Sequence, residues 1–111
     1  MCSSDLCTVE GLYHRGDPAL VNAEAQTAIA LAAAERTVGR ANVIGDAEPF
    51  GGAEDFSVML DRKPGAYILL GNGHADEGPC HDIHSPHYDF NDRILTTGAA
   101  YWVNLVQVEL G

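Results

Sequence analysis

Gly65-Ala66-Tyr67-Ile68-Leu69-Leu70-Gly71 holds an unbroken apolar run between two glycines. A run this short, without polar alternation, predicts a strand buried on both faces, as in a sheet with helices on each side. The flanking chain supplies the other layers. On the N-terminal side, residues 53–60 place Phe56, Met59 and Leu60 at helical spacing, and Pro64-Gly65 ends that short helix. Residues 42–44 predict a short strand before the turn-rich Gly45-Asp46-Ala47-Glu48-Pro49. After Asn22 as N-cap, a longer helix with Glu24 in its first turn is expected to run to about Val38, with Gly39 as the stop. Its inward stripe is expected to be Ala25, Ala28, Ile29, Ala32 and Ala33, small enough for close approach of a neighbour. Cys7, Val9 and Tyr13 alternate with Thr8, Glu10 and His14, the period of a half-buried strand, and Arg15-Gly16-Asp17-Pro18 is a turn. On the C-terminal side, residues 73–87 are polar and aperiodic, an ordered loop. Asn91 or Asp92 then caps a last helix whose apolar face is Ile94, Leu95, Gly98, Tyr101, Trp102, Leu105 and Val106. The order β-α-β-α-β-loop-α predicts an α/β layer architecture with partly parallel strands.

With 111 residues the chain fits one domain at most. Six basic against sixteen acidic residues give a formal charge of −10, a field that repels phosphate backbones and anionic lipid, so neither nucleic acid nor membrane is an expected partner. No apolar run approaches the ~20 residues needed to span a bilayer, and the N-terminus lacks the basic and apolar regions of a signal peptide. A cytoplasmic setting is the expectation. Cys2, Cys7 and Cys80 are odd in number and widely spaced, which suits reduced thiols. Met1-Cys2-Ser3-Ser4-Asp5-Leu6 is expected to be an artefactual prefix, because with a GTG start its codons spell the end of a common sequencing adapter.

Chemistry concentrates in Cys80-His81-Asp82-Ile83-His84-Ser85-Pro86-His87-Tyr88-Asp89-Phe90, where three imidazoles, a thiol and two carboxylates fall within eleven positions. Neutral imidazole offers a lone pair to a borderline cation, Pro86 biases Ser85 toward extended backbone, and a nearby carboxylate orients a ligating ring. The spacing matches neither C-x₂-C nor H-E-x-x-H, so a metal loop and a solvated polar loop both stand on residue types alone. Cys80 beside His81 is a poor nucleophile and base pair, since adjacent side chains seldom face each other. Gly51-Gly52-Ala53-Glu54-Asp55 reads either as helix N–H groups offered to an anion or as acidic residues complementing the helix dipole.

Several motifs agree in order and spacing with one family. They are Tyr13-His14-Arg15-Gly16-Asp17-Pro18 with Val21-Asn22, Gly52-Ala53-Glu54-Asp55-Phe56-Ser57-Val58-Met59-Leu60, Pro64-Gly65-Ala66-Tyr67, Leu70-Gly71-Asn72-Gly73, and His84-Ser85-Pro86-His87-Tyr88-Asp89-Phe90-Asn91-Asp92. Across residues 9–110 the chain resembles the hippurate hydrolase-like amidohydrolases, a family that also holds N-acyl-amino-acid amidohydrolases, aminoacylase-like carboxypeptidases and plant auxin-conjugate hydrolases. The resemblance implies a metallo-aminopeptidase-like catalytic α/β domain interrupted by a smaller lid or dimerisation domain. Residues 7–15 would be the last lid strand, and residues 16–111 the C-terminal part of the catalytic domain. It also implies a homo-oligomer and two divalent metals (Zn, Mn, Co or Ni) per active site. His84 is the implied metal ligand; Gly52, Glu54, Asp55, Ser85 and Asp89 are the implied pocket or supporting residues. His81 and His87 are its neighbours, and Gly51 stands where the family often has methionine. No catalytic residue is implied within this stretch, because the general-base glutamate and the other ligands lie upstream in the family. The implied reaction is hydrolysis of the amide of an N-acyl amino acid. Two rivals share the same residues: a small acidic metal-binding or interaction module, and a docking subunit that completes a split enzyme. The genomic locus separates these: a reading frame that runs on upstream without Met1–Leu6 is expected, and a native start codon at Met1 contradicts it.

Overall fold

Helix α1 (Glu24–Val38) and helix α3 (Leu95–Leu110) lie against one another and carry most of the regular structure. The computed structural model describes residues 8–73, 78 and 81–111. Between the two long helices come a 3₁₀ turn (Arg40–Asn42), the short helix α2 (Phe56–Leu60) and a second 3₁₀ turn (Asp92–Ile94) that runs directly into α3. Among the described residues, no helix is long and apolar enough to cross a membrane.

The start of α1 departs from the expected cap. Ala23, in extended conformation, precedes the helix without a side-chain cap, and the Asn22 side chain is committed elsewhere. Thr27 donates both its backbone N–H and its hydroxyl to the Ala23 carbonyl, each at 2.9 Å. The helix stops as expected at Gly39. Its φ of +80° suits a residue without Cβ, and its N–H returns to the Glu35 carbonyl at 2.9 Å.

The buried side of α1 is also rotated from the expected stripe. Ala30 and Ala33 are buried and Ile29 is half-buried, whereas Ala25, Ala28 and Ala32 face solvent. Alanines at 25, 28, 30, 32, 33 and 34 surround the helix, so its own sequence provides almost no direction. The partner sets the direction instead. Asn104 of α3 donates to the Thr37 hydroxyl at 3.0 Å, and Arg36 donates to the Gln107 amide oxygen at 3.1 Å. These bonds fix which turns of the two helices meet.

On α3, the expected face is half right. Ile94, Gly98, Tyr101 and Leu105 are partly covered, while Leu95, Trp102 and Val106 are exposed together with Val103 and Leu110. The uncovered residues line one flank of the helix.

No strand forms among the described residues. Residues 42–44 begin inside the Arg40–Asn42 turn, and Val9, Leu12 and Tyr13 are solvent-exposed without a partner segment. Residues 66–70 alternate as a strand does. Ala66 and Ile68 line a groove with Ile29, Ala30, Tyr101 and Trp102, and Leu70 reaches to the backbone at Gly98, while Tyr67 turns the other way onto Phe56. A strand is defined by a hydrogen-bonded neighbour, and this run has none. The β-α-β part of the sequence reading is therefore not met, and burial on both faces is not met either: Leu69 is 63% exposed.

The buried core among the described residues is correspondingly small, comprising Ala30, Ala33 and Ser57. The accessible surface is 9925 Å² for 11.8 kDa, against about 5,900 Å² for a compact monomer of that mass. The radius of gyration, 19.5 Å, exceeds the ~13 Å of a compact domain of this length. Burial along α1 predicts an asymmetry between adjacent positions. Ala33→Leu, at 0% exposure, is expected to weaken the α1–α3 contact by about 1–3 kcal/mol, whereas Ala32→Leu stays within about 0.5 kcal/mol of the parent. Helical circular dichroism followed through denaturant measures both, and equal effects would refute the rotated stripe.

Candidate functional site

The two segments that carry candidate site residues hang from the apolar run, one at each end. At Tyr67, the Asn22 side chain acts as a substitute for a neighbouring strand. Its Nδ2 donates to the Tyr67 carbonyl at 2.9 Å, and its Oδ1 accepts from the Tyr67 N–H at 2.8 Å. Beside it, the Ala23 N–H donates to the Gly65 carbonyl at 2.9 Å. Gly65 is held close to α2: a Cβ there would stand 3.0 Å from Leu60 Cδ2, a contact that the leucine side chain would have to relieve by a few tenths of an ångström.

Glu54 joins the same residue from the glycine loop. Its carboxylate accepts the Phe56 N–H at 3.2 Å and the Tyr67 hydroxyl. The Phe56 N–H first, and the Tyr67 hydroxyl second, hold the Glu54 carboxyl below its usual range. In return, Glu54 raises the Tyr67 hydroxyl above its ordinary value, through the hydrogen bond and then through its charge. The Phe56 ring lies 5.6 Å from the Tyr67 ring, tilted by 46°. The first free N–H of α2 is taken by Glu54 itself, which places one acidic side chain at the helix start. Asp55 and Gly52 are exposed on the approach to that helix.

At the other end, Asn72 repeats the device. Its Nδ2 donates to the Asp89 carbonyl at 2.7 Å, and its Oδ1 accepts from the Asn91 N–H at 2.9 Å. Those two bonds tie the histidine segment to the apolar run. Within the segment, the Ser85 N–H donates to the Asp82 carbonyl at 2.8 Å, the Tyr88 N–H to the Ser85 carbonyl at 3.1 Å, and the His87 N–H to the Ser85 hydroxyl at 3.2 Å. His84 sits inside this pair of turns with its imidazole exposed and without a hydrogen bond among the described residues. The turns bring His81 and His87 together with ring centroids 5.5 Å apart. Asn91 accepts from the Arg93 N–H and thereby caps the turn into α3, as expected.

Ser85 is half-buried and organises the turn, and Asp89 contributes its carbonyl to Asn72. Neither is joined to the glycine loop: among the described residues, no hydrogen bond or ion pair links Glu54 or Asp55 to His84. Among the described residues, no group of three histidine, cysteine, aspartate or glutamate side chains gathers there either. Cys80, which belongs to the chemistry-rich stretch of the sequence, and His74 of the preceding polar loop lie outside the described residues. The positioning residues Asn22, Tyr67 and Asn72 escaped the sequence reading. Asn22 looked like an N-cap and Asn72 like turn filler between glycines; the one available signal was an asparagine flanking each end of an apolar run.

Comparison with known proteins places this arrangement in context. Residues 5–108 match the family model described as Peptidase family M20/M25/M40. The chain is 32% identical over 99 residues to YhaA of Bacillus subtilis (strain 168), named as an amidohydrolase, covering 89% of this chain and 25% of that protein. It is 28% identical over 113 residues to a Synechocystis protein named as a hydrolase, covering 95% of this chain and 29% of that one. Over 54 residues it is 37% identical to thermostable carboxypeptidase 1 of Saccharolobus solfataricus, covering 49% and 14% respectively. The chain thus spans between 25% and 29% of the first two relatives. No solved structure matches it.

The Glu54–Tyr67 bond predicts two pH dependences of opposite sign. Glu54, with a lowered folded pKa, contributes stability present above the unfolded carboxylate value and lost as pH falls through the folded one. Tyr67, with a raised folded pKa, contributes stability present below pH 10.0 and lost as pH rises through its higher folded value. In an ultraviolet titration of phenolate, Glu54→Gln is expected to bring the Tyr67 midpoint down toward 10.0. An unchanged midpoint rules out the bond.

Proposed function

The chain belongs to peptidase family M20/M25/M40, and from that membership we propose that it serves, as one part of a longer hydrolase, in metal-dependent cleavage of the amide bond of N-acyl amino acids such as hippurate. Relatives named as an amidohydrolase and as a carboxypeptidase support amide-bond hydrolysis as the reaction class. The observation that carries the reading is the His84-Ser85-Pro86 turn, which lies within the matched residues, presents an imidazole without a hydrogen bond among the described residues and is anchored to the apolar run through Asn72.

The donor chemistry fits a metal in part. His84 offers one neutral imidazole, of the type that Zn, Mn, Co or Ni accepts, but one donor does not hold a catalytic ion, and the described residues gather no set of three. The remaining donors belong to the rest of the enzyme in this proposal. Two divalent metals, when bound, polarise the scissile carbonyl and make water a nucleophile at neutral pH. This chain's own residues present and orient. Ser85 and Pro86 fix the turn that aims His84, Asp89 and Asn72 fix that turn's position, and Gly52, Glu54 and Asp55 shape the neighbouring wall. Glu54 remains ionised and Tyr67 protonated at neutral pH, which keeps that wall in one arrangement.

Two measurements test the reading. The 111-residue chain alone, with added zinc or manganese, is expected to give no hydrolysis of hippurate or N-acetyl amino acids. Turnover by the isolated chain contradicts the division of ligands. Grafted in place of the matched segment of the Bacillus subtilis relative, the parent sequence is expected to be active and His84→Ala to lose at least about 100-fold, more than the loss of a supporting residue. His81→Ala and His87→Ala should stay near the parent, and an active His84→Ala graft would sink the assignment.

A further inference from the structure

The reaction proposed above leaves His81 and His87 without a role, yet the turns bring them together. Both are exposed, and their ring centroids stand 5.5 Å apart with the planes tilted by 46°. Ring contact of this kind does not use the nitrogens. None of the four ring nitrogens makes a hydrogen bond or an ion pair among the described residues. His84, midway between the two in sequence, makes no ring contact with either among those residues. The backbone, not the rings, holds the pair. The Ser85 N–H donates to the Asp82 carbonyl, the Tyr88 N–H to the Ser85 carbonyl and the His87 N–H to the Ser85 hydroxyl, while Pro86 fixes its own φ. Asn72 ties the end of the segment to the apolar run. A loop already closed in this way needs little further ordering to bring both its ends to one ligand.

The separation suits one shared ion. A metal–nitrogen bond of about 2.1 Å puts an imidazole centroid about 3.2 Å from the ion, and at a tetrahedral angle two such centroids lie about 5.3 Å apart. The observed 5.5 Å needs only a small adjustment of two exposed side chains. Neutral imidazole selects late first-row cations such as Ni²⁺, Cu²⁺ and Zn²⁺ over Mg²⁺ and Ca²⁺, which take oxygen donors. The field adds to this preference for a cation. Asp82 and Asp89 lie in the same segment, and the chain carries −10 overall.

We propose that His81 and His87 chelate one late first-row divalent cation, with water completing its coordination and His84 taking no part. Two imidazoles and solvent make a site for a bound ion without requiring the set of three donors that the described residues lack. The chelate has a mechanical consequence. Joining residues 81 and 87 through the ion closes a ring with His84 at its midpoint, so ligation clamps the turns that present the His84 imidazole. The proposal rests on the geometry of the segment and is independent of the substrate and reaction assigned above.

Calorimetric titration of the untagged 111-residue chain with nickel chloride tests it. One Ni²⁺ per chain is expected, and excess magnesium should not displace it. Once one imidazole has bound, the second acts at high effective concentration, so His81→Ala and His87→Ala should each lose about 100-fold in affinity. Helical circular dichroism should stay unchanged in both. His84→Ala and Cys80→Ser are expected to bind as the parent does. Zinc chloride should shift the imidazole proton resonances of His81 and His87 and slow hydrogen exchange at the Ser85 and Tyr88 amides, whose bonds form the clamped turns. Binding as weak in the parent as in the His81→Ala and His87→Ala chains marks an adventitious ion only and overturns the proposal. Affinity lost with His84→Ala or with Cys80→Ser overturns it too, because the ion then sits on a different donor set. Displacement by magnesium points to carboxylates in place of imidazoles, and unchanged amide exchange in the zinc-bound chain refutes the clamp.

Discussion

Everything described around the candidate site depends on how Tyr67 is held. Its backbone N–H and C=O pair with one asparagine side chain, its ring lies against Phe56, and its hydroxyl meets Glu54. An extended segment without a neighbouring strand leaves a donor and an acceptor per residue to satisfy. Asn22 resolves this at one residue with a primary amide, the side-chain group that most closely copies a peptide's donor and acceptor. Three elements meet there: the approach to α1, the entry to α2 and the apolar run. Because each uses a different part of the tyrosine, moving any one disturbs the other two.

The same chemistry then orders the distal end. Asn72 places the histidine turns against the end of the run with two bonds of under 3 Å, and Ser85 closes the turns internally. The two candidate segments are thus positioned relative to a common backbone, with no hydrogen bond or ion pair between them among the described residues. That is a sensible arrangement for a wall and a ligand that converge on something larger than either. It explains how a chain with few buried side chains among its described residues still presents its polar loops in a defined order.

Legibility in the sequence followed the strength of each local constraint. The end of α1 at Gly39, the Asn91 cap before α3 and the existence of all three helices were readable, because propensity and capping act over a few residues. The rotation of α1 was not, because alanine surrounds it and only Asn104 and Gln107 on α3 select a side. The apolar run was recognised as strand-like, and its side chains do alternate, but whether it becomes a strand is decided by a neighbour rather than by its own residues. Likewise His84 stood out by residue type and motif, whereas the anchoring roles of Asn22 and Asn72 arise from partners 45 and 17 to 19 positions away.

Asn72 is followed by Gly73, the pairing in which an amide is most readily lost to hydrolysis with age. The change would convert the Nδ2 donor into a carboxylate oxygen facing the Asp89 carbonyl, so an attraction of 2.7 Å becomes a repulsion between two acceptors. The chain therefore carries a chemical clock at the joint between the apolar run and the histidine turns, and its oldest molecules would be those in which the imidazoles have come adrift while both long helices remain intact.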